Sequence, residues 1–304
     1  MQDQSWTIKR ILDWTSGYLE RKGDEHPRLS AEWLLSATTG LSRVELYTNF
    51  DKPLMQDELN RMHQAVEQRA SGRPLQYVTG EMPFRHIVLK CEPGVLIPRP
   101  ETEVLVDIAL EGIDQKCATG EKDGTPEPLR VLEVGVGTGC IALSIASERP
   151  DTDVVATDVS PEAISLAQRN CDALGLSDRV HLIECDLVSG VPKEDAERFC
   201  VLVSNPPYIP TEVLKTSVPA EVKEFEPKLA LDGGNDGLDV YRRLLQEAPH
   251  MLAPGGMLCV ELYEGHLDRA AELARQAGVW RDISIKEDLT HRPRILVAYR
   301  KEAE

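Results

Sequence analysis

The stretch Val131-Leu132-Glu133-Val134-Gly135-Val136-Gly137-Thr138-Gly139 changes character at its midpoint. Val131 to Val134 reads as a short buried strand, apolar but for Glu133. Glycines then alternate with other residues, and Ile141 to Ser147 resumes as a helix. Glycines at such a turn let the backbone approach a ligand closely. Open α/β sheets bind ligands in the crevice at the carboxyl ends of their strands. The loop alone leaves the ligand open, because Gly137, Gly139 and Ala142 also satisfy the dinucleotide pattern G-x-G-x-x-A. Asp158 lies about 20 residues on, at the end of the next strand. Its carboxylate can accept from both hydroxyls of a ribose. Loop and acid together predict a cofactor that contains adenosine; the competing reading is a structural turn with a helix cap.

Downstream, Val154 to Thr157, Val180 to Ile183, Cys200 to Ser204 and Met257 to Leu262 read as further strands. Helical stripes separate them: Ala163, Ile164 and Ala167; Tyr241, Leu244, Leu245 and Ala248; Leu267, Ala270, Leu273 and Ala274. This alternation predicts an α/β fold, a parallel sheet covered by helices. Ile283 with Ile285 and Ile295 with Val297 suggest a closing antiparallel pair, and Lys116 to Glu127 reads as an exposed loop. Asp186, ending the third strand, is placed to meet an adenine amino group or to serve as a loop carboxylate. Glu133 either meets the cofactor's ammonium or caps the loop amides.

Upstream the period is helical. Ile8, Ile11, Leu12 and Leu19 share a face, and a second helix covers His26 to Ala37 with Trp33, Leu34 and Leu35 inward. Ser42-x-x-Glu45 is a capping box for a short third helix, and Leu59, Met62, Val66 and Ala70 mark a fourth. The character shifts at Ser71-Gly72-Arg73-Pro74, after which Ile87, Leu89 and Cys91 alternate as a strand or hairpin does. The expected division is a helical bundle over 1–71, a hairpin linker over 72–92 and the sheet domain over 93–304.

The 304 residues are 41% hydrophobic, with no run near the roughly 18 apolar residues of a membrane span. Met1 to Arg10 has no apolar signal core, which predicts a cytoplasmic protein. Seven cysteines without a C-x-x-C predict buried thiols and no metal site. The net charge is -17, and nearly all the excess lies beyond residue 80, where 24 Lys/Arg face 40 Asp/Glu. Such a body repels phosphate backbones, so no nucleic-acid partner is expected.

Asn205-Pro206-Pro207-Tyr208 decides the chemistry. It follows the fourth strand, at the crevice. A planar NH2 group needs two acceptors: the Asn205 side-chain oxygen is one and the Pro206 carbonyl the other. Pro206 and Pro207 stiffen the turn, and Tyr208 offers a flat face for stacking. An amide nitrogen is a poor nucleophile because its lone pair is delocalised. Holding both N–H groups favours a pyramidal nitrogen aimed at a methyl donor. No strong base is required, so none of the histidines is needed for catalysis. The motif predicts methyl transfer to a planar nitrogen, with catalytic roles for Asn205, Pro206 and Tyr208.

At this point the chain resembles the HemK-type protein-(glutamine-N5) methyltransferases. The likeness runs from Pro74-Leu75-Gln76-Tyr77-Val78-Thr79-Gly80-Glu81 through Gly94-Val95-Leu96-Ile97-Pro98-Arg99-Pro100-Glu101-Thr102-Glu103. It continues through the glycine loop and Asn205 to Tyr208, to Glu226-Pro227-x-Leu229-Ala230-Leu231-Asp232-Gly233-Gly234-x-Asp236-Gly237-Leu238. The resemblance implies a Rossmann-like class I fold with S-adenosylmethionine (AdoMet) as cofactor. It implies cofactor contacts at Glu133, Gly135, Val136, Gly137, Thr138, Gly139, Asp158, Asp186, Leu187 and Asn205. It implies substrate contacts at Asn205, Pro206, Pro207 and Tyr208, and peptide chain release factors as partners. Leu187 stands where relatives often carry an aromatic residue, and the run Glu261 to His266 replaces their Gly-Gln pair.

Three other readings compete. The Asn-Pro-Pro-Tyr logic also serves adenine N6 or guanine N2 in a nucleic acid. A non-catalytic AdoMet-binding adaptor leaves the intact motif idle, and so does a nicotinamide dehydrogenase. A monomer is expected, since no long apolar stripe is left over.

Overall fold

The computed structural model describes residues 5–119 and 128–302, the side chains of 117–119 excepted. The chain divides into two compact units: Met1–Glu81 with Pro219–Phe225, and Met82–Val218 with Glu226–Glu304.

The first unit holds α1 (Ile8–Arg21), α2 (Pro27–Thr39), α3 (Arg43–Thr48), α4 (Gln56–Ala70) and α5 (Leu75–Thr79). These helices are too short to persist alone in water. Burial of Ile8, Leu12, Leu19, Leu34, Leu35, Leu46, Met62 and Val66 holds them, at about 1.5–3 kcal/mol per large side chain. Ser42 and Glu45 form the expected reciprocal cap at the start of α3. Trp33 is half-buried rather than inward, with the Arg43 guanidinium 5.4 Å from its ring centre. The buried place beside it belongs to Glu32, which accepts from Arg28 at 3.1 Å, from Arg43 and from the Tyr47 hydroxyl. A buried carboxylate survives only with such partners.

The second unit opens with a hairpin, β1 (Glu81–Phe84) and β2 (Ile87–Lys90), whose Phe84, Ile87 and Leu89 are buried. Then come α6 (Thr102–Thr119), β3 (Leu129–Val134), α7 (Cys140–Glu148), β4 (Thr152–Asp158), α8 (Pro161–Leu174), β5 (Val180–Glu184) and β6 (Phe199–Ser204). After α9 (Thr211–Thr216), α10 (Ala220–Phe225) belongs to the helical unit. The remainder is α11 (Asp239–Met251), β7 (Leu252–Glu261), α12 (Leu267–Ala277), β8 (Trp280–Glu287) and β9 (Pro293–Arg300). The loop expected over Lys116 to Glu127 begins instead as the last turn of α6. Its remainder, 120–127, lies outside the described residues.

The sheet has seven strands in the order β5-β4-β3-β6-β7-β9-β8. The first five run parallel, and β9 enters antiparallel between β7 and β8. Every residue of β6 is buried, as befits a strand covered on both faces. The order fixes the site. The chain steps outward from β3 to β5 and then returns to lay β6 against the other side of β3. That reversal opens a crevice beyond the carboxyl ends of β3 and β6, where ligands of open sheets bind. Val134 pairs with Ser204 there, so Gly135 and Asn205 leave the sheet side by side.

Candidate active site

The crevice measures about 370 Å³, within the usual range for small-molecule sites. Its walls include Gly135, Gly137, Asp158, Asp186, Leu187, Asn205, Pro206 and Pro207. Glu133, Val136, Thr138, Gly139 and Tyr208 are not among the lining residues.

The glycine loop is held from behind. The N–H groups of Gly135 and Val136 donate to the Thr157 carbonyl at 2.8 and 2.9 Å. Asn170 donates to the Thr138 carbonyl at 2.9 Å. Gly135 has φ +86°, a backbone conformation that side chains rarely adopt, and its open face looks onto the Asn205 carbonyl. Buried Glu133 accepts from the Ala142 N–H at 2.8 Å through Oε2, while Oε1 has no partner among the described residues. Burial pushes its carboxyl well above the usual range.

Asp158 Oδ2 accepts from the Gly137 N–H at 2.9 Å, and Oδ1 from the Ser160 N–H at 2.9 Å. A carboxylate has about four acceptor sites, so these bonds do not exhaust its capacity. Burial raises its pKa against the pull of those N–H groups. Asp186 accepts from Arg243 at 2.7 Å. Leu187 sits at φ +50°, a turn unusual for a side chain of its size, and shares the crevice wall with Asp186. The crevice thus combines a glycine loop, a half-buried carboxylate at its wall, and an unpartnered carboxyl oxygen beneath the loop.

Asn205 donates from Nδ2 to the Thr102 hydroxyl at 3.1 Å, and Thr102 donates to Glu261 Oε2 at 2.8 Å. Neither partner was singled out from sequence: Thr102 lies in a stretch that carries the resemblance, and Glu261 opens the run that departs from it. Tyr208 is half-buried, packed on the core formed by Leu258, Val260 and Leu262, and burial raises its phenol pKa.

The flanking stretches converge on the crevice. Gly94, Val95 and Leu96 form one wall, and Pro227, Leu229, Ala230 and Asp232 another. Arg99 donates to both oxygens of buried Glu226, at 2.7 and 2.8 Å. The Ile209 N–H donates to the Leu231 carbonyl at 2.9 Å, and the Gly233 N–H to the Ile209 carbonyl at 2.8 Å. A Cβ on Gly233 would lie 2.8 Å from the Pro207 carbonyl oxygen and from Tyr208 Cα. Only glycine lets this strand-like segment seat against the motif.

Residues 10–80 match the family described as PrmC N-terminal domain, and residues 123–224 match Methyltransferase small domain. The catalytic domain of hMettl16, solved in complex with MAT2A 3'UTR hairpin 6, shares the fold. Its TM-score is 0.55 at 15% identity, over 81% of this chain and 82% of that one. Fold, glycine cradle and motif together define a class I methyltransferase that uses AdoMet as methyl donor. A release factor glutamine methyltransferase of Geobacter sulfurreducens is 47% identical over 90% of each chain. One from Rhodopirellula baltica is 40% identical over 97% of this chain and 96% of that one, and one from Moorella thermoacetica 41% over 97% and 99%. The chain belongs to the release factor glutamine methyltransferase family.

Proposed function

We propose that this protein methylates the side-chain amide nitrogen, N5, of the glutamine in the Gly-Gly-Gln motif of peptide chain release factors. The observation that carries the reading is the Asn205 amide: its nitrogen is taken by Thr102, and its oxygen is left to receive an N–H at the crevice.

AdoMet supplies an electrophilic methyl on a sulfonium. The glycine loop, Asp158, Asp186 and Leu187 hold the cofactor, with Glu133 beneath the loop. Asn205 Oδ1 and the Pro206 carbonyl accept the two N–H groups of the glutamine amide, and Pro207 keeps the turn stiff. Fixing both hydrogens draws the lone pair out of conjugation and toward the methyl. Near-attack placement at about 3–3.5 Å supplies much of the acceleration in such transfers. Tyr208 backs the motif and packs beside the bound amide. The methylated nitrogen is cationic and sheds its proton to water, so no side chain acts as base.

The helical unit is the docking element for the release factor, and the protein works as a cytoplasmic monomer. Among the described residues no helix is long and apolar enough to cross a membrane. The acidic body disfavours nucleic acid as substrate. The test incubates the protein and methyl-labelled AdoMet separately with purified release factor, tRNA, rRNA and DNA. Label on the Gly-Gly-Gln peptide is the expected result. Label on nucleic acid alone would refute the proposal.

A further inference from the structure

An asparagine side chain has two ends of nearly equal size and opposite hydrogen-bonding sense. If Asn205 turns over, it meets the glutamine NH2 with another NH2, and donor faces donor. The motif therefore works in one of two orientations, and something must choose between them.

The choice is made two residues away. The Thr102 hydroxyl carries a single proton. An ionised carboxylate only accepts, so Glu261 takes that proton in the 2.8 Å contact. The Thr102 oxygen can then only accept from Asn205, at 3.1 Å. Asn205 must give its NH2 to Thr102 and keep its oxygen for the crevice. We infer that Thr102 and Glu261 are positioning residues that aim the Asn205 carboxamide for methyl transfer. The inference rests on the reading of Asn205 as an acceptor for the glutamine amide.

Their environment supports this. Thr102 and Glu261 are each 1% exposed. A carboxylate at such depth costs several kcal/mol and contributes little to stability that a well-packed apolar side chain would not. Its retention at the carboxyl end of β7, bonded toward the motif, is explained by a directional task. The groups that face it are Thr102, Glu101 and Arg99 ahead of α6, Arg294 on β9 and Tyr208 after β6. Burial raises its pKa to about 7, with Glu101 adding to the rise and Thr102, Arg294 and Arg99 opposing it. Below that value Glu261 carries a proton and can donate to Thr102. The Thr102 proton is then free to turn to Asn205, which favours the inverted amide. Turnover should fall as the pH drops through this range.

The experiment measures kcat and AdoMet affinity on the full-length protein with purified release factor, between about pH 6 and 8. Thr102→Val should lower kcat about tenfold or more, leave the AdoMet dissociation constant within about twofold, and lose the acid limb. Thr102→Ser restores the hydroxyl and should recover most of kcat together with the limb. Glu261→Gln can both donate and accept, so it should give a lowered kcat that no longer varies with pH. This variant carries the test should Thr102→Val fail to fold. A wild-type kcat in Thr102→Val, a serine variant as slow as the valine one, or an intact acid limb in Glu261→Gln would overturn the assignment. Asn205→Ala is measured alongside. If it turns over normally, the acceptor reading itself fails. If it is inactive while Thr102→Val is unimpaired, only the relay fails.

Discussion

The Ser204 hydroxyl donates to the Val134 carbonyl across 2.7 Å, joining the last residues of β6 and β3 through a side chain. The two strand ends are already paired through the ladder. This added bond sits where the sheet opens into the crevice, with Gly135 and Asn205 one residue beyond. Removing it with Ser204→Ala leaves a buried carbonyl short of a partner, a loss of roughly 1–2 kcal/mol. Urea unfolding should show a lower midpoint with an unchanged slope, since the buried surface is the same.

For Asn205→Ala, kcat should drop roughly 10²-fold, the scale of a misplaced reacting group. Cofactor affinity should hold, because the glycine loop and Asp158 are untouched. Steady-state kinetics with calorimetric AdoMet titration separate the two quantities.

Asp158→Asn should have the complementary effect. The amide matches the carboxylate in shape but loses the charge and half of the acceptor sites. Charge-assisted hydrogen bonds contribute about 1.5–3 kcal/mol each, so AdoMet should bind at least about tenfold more weakly. Saturating AdoMet should restore much of kcat.

The stability of the second unit should fall as pH rises toward neutrality. Glu261 titrates near 7 in the folded protein, above its ordinary value of 4.5, because burial disfavours the charge. A group raised on folding stabilises fully below its unfolded pKa and loses that contribution as pH climbs through the folded one. The loss is on the order of 3 kcal/mol between about pH 4.5 and 7. Glu261→Gln should flatten this slope in melting curves recorded from pH 5 to about pH 8, and melt higher than wild type at the alkaline end.

The helical unit should respond in the opposite sense. Burial raises the Asp24 carboxyl, but the Arg69 guanidinium at 2.7 Å, the His26 N–H and the Ser30 hydroxyl together hold it below its ordinary 3.8. A depressed carboxyl stabilises above the unfolded pKa and loses that contribution as pH falls through the folded one. Asp24→Asn should therefore lower the melting temperature at pH 7 and converge with wild type as the pH falls through the depressed folded-state pKa.

The parts legible in the sequence were those whose signal is local. Val131 to Val134 is apolar but for Glu133, and Ser42 reads its own cap three residues on. Asp158 and Asn205 end buried strands, so their place at the crevice followed from strand order. The relay was not legible. Thr102 and Glu261 lie 159 positions apart, and only the return of β6 and β7 across the sheet brings them within 2.8 Å. Glu32 defeated the helical pattern for the same reason. Its burial depends on Arg43 and Tyr47 from the next helix, and no periodicity weighs such a partner. Short helices such as α5 and α9 contain too few residues to show a period.

The chain enters the helical unit twice. Residues 1–81 build most of it, and 219–225 add α10, where Glu221 accepts from Arg69 at 3.1 Å. The helical unit is therefore not a bead that recombination could swap at a single junction. A truncation starting at residue 82 would leave α10 stranded and remove the partner of Glu221. Exchange of this unit between relatives needs two coordinated crossovers, the second directly ahead of Glu226 and the crevice wall. Helical unit and methyltransferase would thus be inherited together, and substrate choice would drift by point substitution more readily than by shuffling.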